Sequence, residues 1–506
     1  MSGGTVDPRA VRLHHAPGEG RFGDPSPIVW EGRHHVFFQN SPRPDDFGAM
    51  RWAHVVSDDL LRWHTLPDAI APEPEGPDAY GCWTGCVIRG GDRFHAFYTG
   101  IGGPDGQRQT VCHAESDDLT SWRKDPANPI LGPVAPFATH PGAAWRDPQV
   151  RALPSGGFEM VLTADAADAP PALRGCVARF TSADLRHWGD GRLLYRPGDV
   201  HRCECPEIVA IDGHHALLYS DYGVQVRIAQ GPAGPWTTPS APRLDDFRYY
   251  AAKTAAFGER RMVYGFVFDR HVPDAPLALP HDGSPWTWGG VMAFPRELTP
   301  TPDGGVGIRP ARELDRLRQE RVDLVATPRV VTGDWSGAGA EWGGAVAAGG
   351  PDLAVALLGR LDTQAELELT VQWEATGTLG ILLRVDADLS RGYRLDFDRA
   401  RRDLTLRRLL PHANPASPIL QRLELPADLP DAMHLRLLLD GSLLEAFVAD
   451  RVAFSGRLYD PAPDPWWGLA TRGSVRARGV GAWRLTLPST PTGATVAPPP
   501  GPSTAR

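Results

Sequence analysis

A chain of 506 residues exceeds one hydrophobic core, and about two or three domains is the expectation. A net charge of -9 argues against a nucleic-acid partner, which needs a basic surface, and no run of about 18 apolar residues exists to cross a membrane. With 42% hydrophobic residues the chain is globular, and its 55 Gly and 50 Pro suit many tight turns rather than long helices.

Residues 1–20 read as a lead-in. Met1 to Asp7 lacks the basic and apolar regions of a signal peptide, so a cytoplasmic location is expected. Asp24 follows in Phe22-Gly23-Asp24-Pro25-Ser26-Pro27, where proline fixes its own φ and extends the residue before it. Behind it runs a β-rich segment, His34 to Gln39. Then comes a repeat. Ser57-Asp58-Asp59-Leu60-Leu61-Arg62-Trp63 recurs as Ser116-Asp117-Asp118-Leu119-Thr120-Ser121-Trp122 and as Ser182-Ala183-Asp184-Leu185-Arg186-His187-Trp188. Ser and Asp make local turns by bonding nearby backbone groups, and Leu and Trp return to a core.

Each copy sits behind a β-branched or aromatic strand: His34 to Gln39, Phe94 to Thr99 and Phe158 to Thr163. Two similar strands follow, His215 to Ser220 and Met262 to Phe268. Five units at a spacing of roughly 50–65 residues predict a five-bladed β-propeller over residues 21–307. Residues 308–328 read as a linker, with good helix formers from Ala311 to Leu324. Beyond it Leu367, Leu369, Val371 and Trp373 alternate with polar residues, as do Tyr393, Leu395 and Phe397, which predicts a β-sandwich over 329–488. Residues 489–506 are a Pro/Ser/Thr-rich tail, expected to be disordered.

Three acids stand out on the propeller: Asp24, Asp147 in Trp145-Arg146-Asp147-Pro148, and Glu204 in Arg202-Cys203-Glu204-Cys205-Pro206. Taken singly, they read as a turn residue, a surface Arg–Asp pair and a buried structural acid. As a set they suit glycoside cleavage, which needs one ionised carboxylate to attack and one protonated carboxyl to donate. The apolar surroundings of Glu204 would raise its pKa while Arg202 would lower it; Arg146 should keep Asp147 ionised. The chemistry requires no metal and no cofactor. The six cysteines (Cys82, Cys86, Cys112, Cys176, Cys203, Cys205) have no zinc-ligand spacing and read as free thiols.

These residues resemble glycoside hydrolase family 32, the fructosidases, over Arg21 to about Leu487. Phe22-Gly-Asp-Pro25 through Pro42 resembles the family's opening motif, which implies Asp24 as nucleophile. Arg146-Asp147-Pro148 matches the motif whose Asp binds fructose hydroxyls, and Glu204-Cys205-Pro206 the one that supplies the acid/base. Trp52-Ala-His54-Val, Trp83-Thr84-Gly85, Phe97-Tyr-Thr-Gly100, Trp288-Gly-Gly and Asp440-Gly-Ser-Leu-Leu-Glu-Ala-Phe447 resemble further family segments, in order. The resemblance implies an all-β five-bladed propeller with a C-terminal sandwich. It also implies a retaining hydrolase that releases terminal fructose from sucrose or short fructo-oligosaccharides. Gln39, Arg146, Trp52, Trp83, Thr84, Phe22 and Trp288 are the expected substrate contacts, although Phe22, Trp83 and Trp288 also suit an inter-blade core, and His54 reads as a core histidine. Gly23 and Ser26-Pro27 depart from the family's Asn residues, which keeps a different furanoside open. Fructosyl transfer to another sugar and a carbohydrate-binding homologue without turnover stay open as well. The partner is a small carbohydrate; the sandwich stabilises the propeller, borders the cleft or mediates a homodimer.

Overall fold

Strands of alternating apolar residues, broken by Ser–Asp turns, form five antiparallel sheets in a computed structural model that describes residues 10–42, 47–103, 105–269, 289–325, 327–348, 352–373, 377–409, 418–462 and 465–489. The expected disordered tail lies outside the described residues except for Ser489. Each sheet is one propeller blade. The inner strands are Pro25–Trp30, Gly81–Gly90, Trp145–Ala152, Glu204–Ile211 and Tyr249–Phe257. The five strands predicted from sequence are the second strands of these blades. The ring closes where Phe22 N donates to Gly290 O (3.1 Å) and Gly290 N returns a bond to Phe22 O (2.8 Å).

The Ser–Asp repeat makes the outer turns. Ser57 Oγ accepts from Leu60 N (2.8 Å), and Asp59 Oδ1 accepts from Leu61 N and Arg62 N. Ser116 with Asp118 and Ser182 with Asp184 bond identically. These bonds hold Leu60, Leu119 and Leu185 at φ 63, 65 and 67, a left-handed conformation, with their side chains buried. The Trp of each copy then packs edge-on against the neighbouring blade: Trp63 on Tyr264, Trp122 on Phe37 and Trp188 on Phe97. One short motif thus supplies both the turn and the blade-to-blade contact.

At the opposite end, the inner strands of blades two to five each carry one extra residue relative to their partner. The register shifts fall at Trp83/Gly85, and opposite Val161/Thr163, Glu204/Glu207 and Tyr250/Lys253. A bulge bends the strand and re-aims side chains. Pro148 and Pro206 sit in two of these bulges, where a missing N–H costs no ladder bond.

The second domain packs two sheets face to face. Leu367, Leu369, Val371 and Trp373 share one core with Tyr393, Leu395 and Phe397. The stretch expected as a linker does three things. Val306–Pro310 completes blade five, Arg312–Leu317 forms a short 3-10 helix that buries Leu314 and Leu317, and Arg318–Arg321 pairs with Ser474–Leu485 of the sandwich. Arg318 is drawn there by Glu366 and Glu368, both 2.6 Å away. The Asp440–Phe447 segment clamps the domains together. Asp440 accepts from the backbone of Arg12, Leu13 and His14, and His14 lies 2.8 Å from both Asp440 and Glu445. Glu445 also holds Arg296 of blade five (2.7 Å). Among the described residues, no helix is long and apolar enough to cross a membrane.

Candidate active site

The bulges bring Asp147 and Glu204 to the cavity that Asp24 borders, a space of about 470 Å³ lined by Asp24, Asp147, Glu204, Arg146, Gln39 and Tyr250 among others. Asp24 is fixed from blades one and two: its Oδ2 accepts from Thr84 Oγ1 (2.5 Å) and Gln39 Nε2 (3.3 Å). Gln39 also bonds Thr84 Oγ1, and Gly23 N donates to Gln39 O (3.0 Å). Glu204 is fixed on both oxygens, Oε1 by Arg146 Nη2 (2.5 Å) and Oε2 by Tyr250 OH (2.6 Å). Asp147 accepts from Cys205 N (3.0 Å) and Thr163 Oγ1 (3.1 Å) and lies 3.7 Å from Arg146 Nε. Cys205 Sγ approaches Asp24 at 3.7 Å. Donor atoms of Asp24, Asp147 and Cys205 fall within 4.8 Å of one another.

Such crowding sets the protonation. Burial, then the charge of Asp147, raises the Asp24 carboxyl to about 7, against the lowering effect of the Thr84 bond. Burial likewise raises Asp147, opposed by Arg146. Burial would raise Glu204 too, but Arg146 and the Tyr250 hydrogen bond outweigh it and hold Glu204 below its ordinary value. Arg202 lowers Glu204 as expected, but less than Arg146 and Tyr250 do, because it turns to Asp165 (3.0 Å). The expectations that apolar surroundings raise Glu204 and that Arg146 serves Asp147 are corrected. Arg146 is shared between Asp147 and Glu204 and lies closer to Glu204, so Asp147 receives less stabilisation than adjacency in sequence suggests.

Of the expected substrate contacts, Gln39, Trp83 and Arg146 line the cavity. Thr84 is fully buried and reaches the cavity through Asp24. Phe22 and Trp52 do not line it. Phe22 is stacked on Phe38 (4.2 Å) in the core, and Trp52 lies behind Trp83, donating its Nε1 to Trp83 O (2.9 Å). Trp52 sits on a strand buried on both faces, a case in which hydrophobicity alone gives no direction. Trp288 lies outside the described residues. His54 is buried core, stacked on Phe37. Sequence reasoning missed Tyr250, Gln109, His201 and Phe268, and Arg202 as a wall residue. Tyr250 stands where the register shift of the fifth inner strand begins, as Glu204 does in the fourth. Gln109 Oε1 steadies Arg146 by accepting from Nη1 (3.2 Å).

Carboxyl groups held on different strands around one cavity, with their protonation set apart, are the equipment of a glycoside hydrolase. Residues 14–306 match the Glycosyl hydrolases family 32 N-terminal domain and residues 348–476 the family's C-terminal domain. The chain belongs to that family and is a glycoside hydrolase. It is 26% identical over 485 residues to "Sucrose-6-phosphate hydrolase" of Escherichia coli, covering 89% of each chain. Among solved structures it is similar to fructan 1-exohydrolase IIa from Cichorium intybus (TM-score 0.73, 20% identity, 95% of this chain and 98% of that one). It is also similar to sucrose-6-phosphate hydrolase from Lactobacillus gasseri (TM-score 0.70, 22% identity, 95% and 94%).

Proposed function

We propose that the protein releases a terminal fructofuranosyl unit from sucrose or a short fructo-oligosaccharide by double displacement. The observation that carries the reading is the pairing of a doubly anchored Glu204 with an Asp24 held by Thr84 and Gln39 in one cavity. Asp24 attacks the anomeric carbon as Glu204 gives its proton to the leaving oxygen. The glycosidic bond breaks and a fructosyl ester forms on Asp24. Glu204 then takes a proton from water, whose oxygen attacks the same carbon and frees Asp24. Asp147 accepts hydrogen bonds from sugar hydroxyls. Retention by this route needs the Asp24 and Glu204 carboxyls about 5–5.5 Å apart.

The pair needs one proton for this chemistry. In the free cluster that proton favours Asp24, whose pKa is raised, over Glu204, whose pKa is lowered. Sugar hydroxyls donating to Asp24 and Asp147 favour their ionised forms, and the leaving oxygen accepts from a protonated Glu204. Substrate binding therefore moves the proton within the pair, and the pair titrates as a unit.

A second reading concerns the leaving group. Arg202 adds positive charge to the cavity wall, and the Escherichia coli and Lactobacillus gasseri proteins are both named sucrose-6-phosphate hydrolases. Wild-type protein and Asp24→Asn are compared on sucrose, sucrose 6-phosphate and fructo-oligosaccharides by product analysis. Fructose released by the wild type alone, with glucose or its 6-phosphate as the other product, supports the reading; no release from any fructoside by folded protein contradicts it. Fructosylated sugars in place of free fructose would make the enzyme a transferase. A cytoplasmic location is supported by six cysteines that are all free and buried. A homodimer through the sandwich is supported by Val330 and Val331, exposed on an edge strand. Sedimentation velocity tests it, with a monomer as the contrary result.

A further inference from the structure

Blades one and two bury the same pair of imidazoles. His35 Nδ1 lies 3.0 Å from His54 Nε2, and His95 Nδ1 lies 3.0 Å from His113 Nε2. In blade two the far nitrogens are both committed. His95 Nε2 is 3.2 Å from the Gly90 carbonyl oxygen, which only accepts, so this nitrogen carries a hydrogen. His113 Nδ1 is 3.0 Å from Asp125 Oδ2, a carboxylate that also calls for a donor. Asp125 is itself held, its Oδ1 accepting from Ala127 N (2.9 Å). Two neutral imidazoles then have no hydrogen left for the contact between them. With those tautomers their lone pairs face each other across 3.0 Å, an arrangement that a bridging cation relieves. Glu115 adds an oxygen 3.8 Å from His95 Nδ1, and the three donor atoms lie within 4.8 Å of one another.

We propose that His95, His113 and Glu115 bind a divalent transition cation of the zinc class, with water as the fourth ligand. Tetrahedral zinc with Zn–N bonds of about 2.0–2.1 Å sets its ligand atoms roughly 3.3 Å apart, close to the spacings here. Two imidazoles and a carboxylate suit zinc or its first-row neighbours. The Gly90 carbonyl and Asp125 accept from the non-ligating nitrogens, which is how metal-bound histidines are oriented. Glu115 is now held by Arg93 and Arg186, each at 3.0 Å, both well exposed and free to swing away. Metal on Glu115 Oε1 displaces Arg186, which comes from the outer turn of blade three. None of the three ligands lines the cavity that holds Asp24. Blade one is the internal control. Val56 stands opposite His35 where Glu115 stands opposite His95, and His54 Nδ1 is buried with no hydrogen-bond partner among the described residues.

The test is metal stoichiometry on the full chain. Protein stripped with chelator is equilibrated with Zn²⁺, desalted and analysed by mass spectrometry, and a Co²⁺ sample is examined by absorption. The expected result is one retained ion per chain, with tetrahedral cobalt bands and no thiolate charge-transfer band. Glu115→Gln should weaken binding at least tenfold and His95→Gln should abolish it, while His35→Gln leaves it unchanged. Glu115→Gln changes a surface-reaching group and leaves the blade core intact, so it reports even if His95→Gln unfolds. No retained ion, or binding unchanged in Glu115→Gln, would overturn the proposal and leave a proton as the bridge. A thiolate band would also overturn it by placing the ion at the cluster of Asp24, Asp147 and Cys205.

Discussion

The outer turns and the channel mouth solve the same backbone problem by opposite means. Leu60, Leu119 and Leu185 on the outside, and Asp147, Cys205 and Ala251 on the inner strands, all adopt left-handed φ between 50 and 67. Each such residue costs on the order of 1–3 kcal/mol unless its surroundings enforce it. Outside, enforcement is local: a Ser Oγ three residues earlier accepts the Leu N–H. At the mouth it comes from the preceding strand or blade. Asp147 N donates to Thr99 Oγ1, Cys205 N to Asp147 Oδ2 and Ala251 N to Ser220 Oγ, over separations of 48, 58 and 31 residues. Strain at the rim builds turns; strain at the mouth aims Arg146, Glu204 and Tyr250 into one cavity.

The contrast would break first at Glu204. Glu204→Gln removes the transferable proton but keeps the shape, and kcat should fall about 10²–10⁴-fold in steady-state assays with no change in circular dichroism. Next comes His14, another group held from afar. Its pKa is raised by Asp440 and Glu445 against the lowering effect of burial. His14→Ala leaves two buried carboxylates short of a partner, and chemical denaturation should show a loss of about 3–5 kcal/mol. The histidine's contribution is present below its unfolded value near 6.5 and fades as pH rises through the folded value.

A smaller effect carries the opposite sign. Because Asp24 titrates near 7 when folded and near 3.8 when not, its presence lowers stability as pH climbs from about 4 to about 7. Asp24→Asn should therefore be more stable than wild type by about 2 kcal/mol at pH 8 and equal to it at pH 4, a discounted figure because Asp24 borders an open cavity. Inactive yet more stable is the signature of strain kept for function. On the outer side, Ser116→Ala should cost only about 1 kcal/mol and leave kcat unchanged. The subtlest change is Tyr250→Phe. Removing a hydrogen bond that lowers the pKa of Glu204 should move the basic limb of the kcat profile, which reports the substrate complex with the proton on Glu204, to higher pH.

The two regions also differ in how far they were legible. The outer turns could be read directly, because their Ser and Asp hydrogen bonds all lie within seven residues. The same holds for the sandwich strands, where one face is apolar and the period is two. Asp147 and Glu204 were legible because a following proline marks an irregular strand. Their charge states were not. Which carboxylate Arg146 prefers depends on the bulge in blade four, 58 residues on, and sequence adjacency pointed to Asp147 and to Arg202 instead. Trp52 misled for a related reason, since a strand buried on both faces gives no sign of which side meets the cavity.

The most direct test of the double-displacement account is to trap the ester. Glu204→Gln is incubated with a fructosyl donor whose leaving group needs no acid, then digested and analysed by peptide mass spectrometry. The account predicts one added anhydrohexose on the peptide that contains Asp24, absent in Asp24→Asn with Glu204→Gln. Turnover without any adduct, giving a sugar of inverted anomeric configuration, would contradict it.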